Sequence, residues 1–295
     1  MTTYLPRHEF PYGIDPGFLE SRIQYRDELV QELERDCSNI DMYLSPIHRT
    51  AELSLRLDPE AAEVETWEAW TIAMQVHNTV FALSAVEEGT QIEYLIDHKT
   101  RTLTAPGKLD CADASTWQTA FFLAVVCRDN ARAQALCQFP VENMRQAAND
   151  AQVEYNDYIY HWVAALQAFV NGTDDLAGEL RQAMELSDPD QGAFGGDALD
   201  LLVFPQMEVF RQLLLEDSDG FNQALVDALE SYKHFHIRIC EEKKIASGIV
   251  PLNLLALACL AHDKAEHTPG FALEVESEYL PKHLVKRSWH GEFPI

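Results

Sequence analysis

Apolar residues recur at helical spacing along nearly the whole chain. Asp15-Pro16 places a side-chain acceptor before a proline suited to a first helical turn. Beyond it Leu19, Ile23, Val30, Leu33 and Cys37 trace one helix face. Asp58-Pro59 has the same form and predicts a second helix start. There Trp67, Trp70, Met74, His77 and Phe81 make one face, and Ile72, Val76, Val80 and Leu83 another. A helix apolar on two sides is buried between neighbours, and Gly89 is the expected stop.

Between Gln91 and Ala105 the period changes. Ile92, Tyr94 and Ile96 alternate, Asp97 to Thr100 reads as a turn, and Leu103 lies beyond it, which predicts a small β-hairpin. Helices follow over 114–129, 152–170 and 174–187, with Gly172 ending the second and Thr173 capping the third. A loop spans Asp188 to Gly196, and two segments broken at Pro205 cover 197–215. Ser218 opens a helix carrying Phe221, Leu225, Ala228 and Tyr232; Leu252 to Ala261, apolar nearly all round, is the expected central helix of the C-terminal half. The predicted class is all-α, an array of packed helical hairpins with one small β-hairpin insert. Residues 1–295 form either one domain or two lobes with a seam near 90–110. No motif recurs at a fixed period.

Charge changes the picture most. The 295 residues hold 48 acidic and 22 basic side chains, a formal net charge of -26. Such a field repels nucleic acid and anionic membrane and draws in cationic partners. The longest apolar run, Leu254 to Ala261, is far below the roughly 20 residues that span a bilayer. The first residues lack the basic and apolar regions of a secretory signal, so a cytoplasmic location is expected. Six cysteines without paired short spacing fit a reducing compartment and neither a disulfide framework nor a zinc site.

Catalytic and metal motifs are hard to find. His234 and His236 point to opposite sides of a helix, so they do not chelate one ion together. His262-Asp263 with His267 would have to gather in a loop to bind a metal; a helix-end pair that satisfies its last carbonyls is the simpler account. Cys259 and His262 share a helix face like a nucleophile and its base, yet Cys259 lies among Leu and Ala, where burial raises a thiol pKa. Neither a Gly-x-Ser-x-Gly elbow nor a phosphate-cradling loop is present. No metal or cofactor is therefore expected. The acids cluster at Asp58 to Glu68, Asp174-Asp175, Glu216 to Asp219, and Glu274, Glu276 and Glu278. If 273–278 is extended, the last three carboxylates share one face opposite Leu273 and Val275. That triplet is the first candidate for a partner-binding surface, against the simpler account of a solvated face.

The apolar helix running into His262-Asp263, followed by Leu273-Glu-Val-Glu-Ser-Glu-Tyr-Leu-Pro281, resembles the C-terminal signature of the immunity protein 49 family. Upstream the likeness is looser, through Trp117 to Arg128, Phe204-Pro205 and Phe221-Asn222. The resemblance implies a bacterial antitoxin that binds one cognate secreted polymorphic toxin in the producing cell and blocks it by occlusion. The acidic charge favours a basic toxin as partner. It maps no active site onto numbered positions. An enzyme reversing a toxin modification such as ADP-ribosylation, or an acidic helical adaptor or effector chaperone, are the rivals. Oligomeric state is left open.

Overall fold

Residues 2–295 are described by a computed structural model. The order is β1 (Thr3–Leu5), α1 (Pro16–Arg35), α2 (Asp41–Ser54), α3 (Val64–Ser84), β2 (Gln91–Ile96), β3 (Lys99–Thr104), α4 (Ala114–Cys127), α5 (Asn130–Leu136), α6 (Val141–Asp150) and α7 (Tyr158–Asn171). Then come α8 (Leu176–Leu186), α9 (Phe204–Leu215), α10 (Ser218–Lys243), α11 (Leu252–Ala265), β4 (Val275–Ser277) and α12 (Lys282–Val285). The mostly helical class expected from the apolar spacing is what the chain adopts. Sequential helices pair as α1 with α2, α2 with α3, α3 with α4, α7 with α8 and α9 with α10.

Asp15 caps α1 as its place before Pro16 requires, accepting the Gly17 N–H at 2.8 Å. Asp58 does something else. Its two carboxylate oxygens accept the N–H groups of Ala62 and Glu63 at 2.8 and 2.9 Å, so the acid closes a turn and the helix begins only at Val64. That helix also ends before Gly89, which instead donates to Ala105 O and opens the hairpin. Gly172 does end α7, at φ +67, but Thr173 makes no cap and α8 starts after Asp175. The predicted break at Pro205 is a continuous passage. Phe204 N–H reaches Leu199 O across a π-type turn, Leu199–Val203, and Pro205, which has no N–H to offer, sits in the first turn of α9.

α4 is the hub, packed against α3, α5, α6, α7, α11 and α12. Ala114, Trp117, Phe121, Phe122 and Leu123 are buried around it, and Trp117 stacks on Phe121 at 5.0 Å. Asp113 caps its start through Thr116 N–H. Arg128 ends it at φ +58, a left-handed position costly for a side chain larger than Asn. From there the guanidinium reaches Asp263 of α11 at 3.0 and 3.2 Å, Val126 O at 2.8 Å, and Leu284 O and Val285 O of α12 at 3.1 and 2.6 Å. One buried cation thus joins α4, α11 and α12.

The β2–β3 hairpin packs on α1 and α3. Arg132 of α5 bonds the Asp129 carboxylate, Tyr94 Oη and Leu95 O. Arg101 of β3, also buried, meets Glu34 of α1 at 2.7 Å.

Two histidines, His77 buried and His48 half-buried, meet where α2 packs on α3. His48 and His77 stand edge to face at 5.6 Å, and Nε2 of His48 has no partner. Burial pushes His48 down to about 4 and, with the charge of His48 adding, His77 to about 3. The unfolded chain therefore takes up protons near pH 6.5 that the fold refuses, so stability falls as pH drops from about 6.5 towards 4. Each histidine contributes a slope of up to about 1.4 kcal/mol per pH unit. Urea titrations at pH 7.5 and 5.0 should show the parent losing stability on acidification and His77→Gln losing visibly less. An equal loss in both would disprove the assignment.

Candidate functional site

Alternation builds the outward face of β4. Val275, Ser277 and Tyr279 turn inward and are buried, whereas Glu274, Glu276 and Glu278 are exposed. The strand expected over 273–278 is confined to Val275–Ser277, with Glu274 just before it and Glu278 in the turn that follows. What the spacing did not reveal is the neighbour. β4 pairs in parallel with β1, in the register Thr3 with Val275, Tyr4 with Glu276 and Leu5 with Ser277. Thr3 N–H donates to Glu274 O at 2.8 Å, and Ser277 Oγ donates to Leu5 O at 2.8 Å. Residues paired in register project from one side of a sheet, so Tyr4, 60% exposed, stands beside Glu276 on the acidic face.

α10 holds the entry to β4. Asn222 accepts Glu274 N–H at 2.7 Å and donates to Ala272 O at 2.8 Å, while Phe221 packs on Phe271. At the other end, Glu278 accepts Arg7 N–H at 2.8 Å, and its carbonyl accepts the Arg7 guanidinium. The outer surface therefore carries three carboxylates and one aromatic ring on a rigid frame.

Beneath the sheet lies a polar cluster. His8 Nε2 stands 2.9 Å from Ser247 O and Nδ1 2.5 Å from Tyr279 Oη. A carbonyl only accepts, so Nε2 carries the proton and Nδ1 takes the tyrosine hydrogen. Burial lowers the His8 pKa and raises that of Tyr279 to about 12. Cys240 Sγ lies 3.5 Å from the same Nε2. That nitrogen is already a donor, so it is not placed to take a thiol proton in this arrangement. His236 reaches Ser247 Oγ at 2.9 Å, burial takes it down to about 4, and a side chain at Gly248 would run into its ring. The cluster fastens the amino-terminal segment to α10 and Tyr279.

The other candidates do not assemble. Cys259 is fully buried, burial raises its pKa, and His262 faces Asp263 at 3.3 Å. Asp263 is engaged by Arg128 as well, so it is not gathered with His262 and His267 around an ion. The six cysteines are unpaired. Among the described residues no helix is long and apolar enough to cross a membrane.

The sequence model of immunity protein 49 matches residues 58–284, most of the chain. The chain belongs to the immunity protein 49 family. Membership brings an immunity-protein role, a toxin as the implied partner, and a function that in this family is in general non-enzymatic. Neither the curated proteins nor the solved structures contain a match. The immunity protein 49 signature now has a physical meaning at several positions. Arg128 and Asp263 are the two ends of one ion pair buried at its arginine end, and Phe221-Asn222 seats the strand that carries the acids. Tyr4 and β1 lie outside the matched range. Thr-Thr-Tyr-Leu, rich in β-branched and aromatic residues, was the available signal for that strand.

Proposed function

We propose that the chain neutralises a basic, secreted protein toxin by binding it in the producing cell's cytoplasm and covering its working surface. Glu274, Glu276 and Glu278, with Tyr4 among them, form the surface that meets the toxin. The observation that carries this reading is the outward alternation of the three carboxylates beside an exposed tyrosine, on a strand inside the family-matched region. Tyrosine is among the residue types that most often carry binding energy at protein interfaces. The net charge of -26 supports it as well, because steering lifts association from about 10⁵–10⁶ towards 10⁸–10⁹ M⁻¹s⁻¹. A toxin has to be caught before it acts, so association rate matters as much as affinity. Occlusion fits a surface that offers no proton-transfer pair and no nucleophile.

Occlusion requires stoichiometry. Titrated against the toxin encoded by the neighbouring gene, the chain should abolish activity near one molar equivalent. Protection at strongly substoichiometric amounts would replace occlusion with enzymatic reversal, and binding without protection would make the chain an adaptor.

A further inference from the structure

The hairpin turn opposite α3 gathers a set of side chains outside the proposed toxin surface. Glu68 lies in the second turn of α3, and Asp97 and His98 form the tip of the β2–β3 hairpin. One ligand atom from each, two carboxylate oxygens and an imidazole nitrogen, all lie within 4.8 Å of one another. The closest pair is Glu68 Oε1 and His98 Nε2 at 2.6 Å.

The frame around them is fixed. Asp97 N–H donates to Oε1 of Gln75 at 2.9 Å, and Gln75 is a buried residue on the same face of α3 as Glu68, seven positions on. Both turn residues take left-handed backbone, φ +54 and +57, as a two-residue hairpin turn requires. The His98 ring is steadied edge-on by Phe293 at 4.4 Å. Two cations lie close by. Lys99 and Arg101 are both held by Glu34, at 2.9 and 2.7 Å, and Arg101 stands 3.7 Å from Asp97. Neither displaces His98 as the partner of Glu68.

We propose that Glu68, Asp97 and His98 form a binding site for a first-row divalent metal ion of the zinc or manganese kind. Glu68 and His98 are 30 residues apart in the chain, and an ion held at the 2.0–2.2 Å typical of zinc would replace the hydrogen bond that now joins them. The imidazole decides the class. Calcium and magnesium prefer all-oxygen shells, whereas zinc and its neighbours gain from a nitrogen ligand. Remaining coordination positions face solvent and take water. Bound there, the ion offsets two carboxylates in a strongly acidic protein and clamps the hairpin tip to α3.

Titration calorimetry on the chelator-treated full chain tests this, with zinc chloride, manganese chloride and calcium chloride as probes. Zinc should bind the parent with at least tenfold higher affinity than it binds His98→Ala or Glu68→Gln, and one equivalent of uptake should disappear in each variant. Glu68→Gln keeps the size of the side chain, and both positions reach the surface, so a melting curve on the metal-free variants establishes that they fold. Zinc should also raise the melting temperature of the parent and leave the two variants unmoved. Other histidine–carboxylate pairs, His161–Glu179 and His262–Asp263, serve as internal controls, since uptake there survives both substitutions. Equal zinc uptake by parent and variants, or no uptake by the parent, overturns the site. Calcium binding as tight as zinc overturns the assignment of metal class.

Discussion

Arg128→Met should cost the fold about 3 kcal/mol, the low end for removing one member of a buried ion pair, because Asp263 keeps some contact with water. The substitution leaves the Asp263 carboxylate and the carbonyls of Val126, Leu284 and Val285 without the donor that satisfies them. Against a typical stability of about 5–15 kcal/mol, that is a large fraction of the whole. Arg128→Lys should fall between the two, because an ammonium has no planar fork with which to bridge α11 and α12 at once. Arg128→Gly separates two effects: it relieves the left-handed backbone at φ +58 but loses every side-chain bond. If the guanidinium network dominates, glycine should be nearly as damaging as methionine. Urea unfolding followed by tryptophan fluorescence decides, and a methionine variant within 1 kcal/mol of the parent, roughly the noise on such a contribution, would remove Arg128 from the centre of the fold.

The second large effect is expected in binding. Glu274→Gln, Glu276→Gln and Glu278→Gln together keep size and hydrogen-bonding capacity while removing three charges. Rim charges act on association rate and salt dependence, so the triple variant should bind the toxin about tenfold more slowly at low salt and lose much of the parent's salt sensitivity. Tyr4→Ala should act differently, raising the dissociation rate by the equivalent of about 2 kcal/mol if the ring is an anchor. Stopped-flow measurements at two ionic strengths, each with a melting curve, separate the outcomes. Unchanged kinetics in both variants would make this a solvated face. A lowered melting temperature in the triple variant would assign the carboxylates to the scaffold, through the hold of Glu278 on Arg7.

The long helices and the hairpin were legible because their apolar periods run over many residues, as in α3, α10 and α11. The elements that escaped notice are α2, α5, α6, β1 and α12. The first holds Pro46 in its interior and the second has only seven residues, so neither presents a long clean period. Asp58 misled because an acid before proline suits a tight turn as well as a helix cap, and only the two N–H groups it meets distinguish them. At the candidate surface, the β4 face followed from alternation within six residues. Its pairing with β1 did not, since a register between residues 3 and 275 leaves no local trace. The convergence of Glu68 with the hairpin tip was hidden for the same reason: it depends on how the hairpin leans on α3.

The parallel pairing of β1 with β4 has a consequence during synthesis. Leu5 emerges from the ribosome some 272 residues ahead of Ser277, the residue it pairs with. At about 5–20 residues per second, the amino-terminal strand waits roughly 15–55 s for its mate. Throughout that interval Tyr4 has no acidic stripe beside it. If the proposed surface is the one that meets the toxin, nascent chains and carboxy-terminally clipped fragments offer no grip, however well their helices have formed. Capture would then be the last property the protein acquires, and the supply of protective molecules would be set by completed chains.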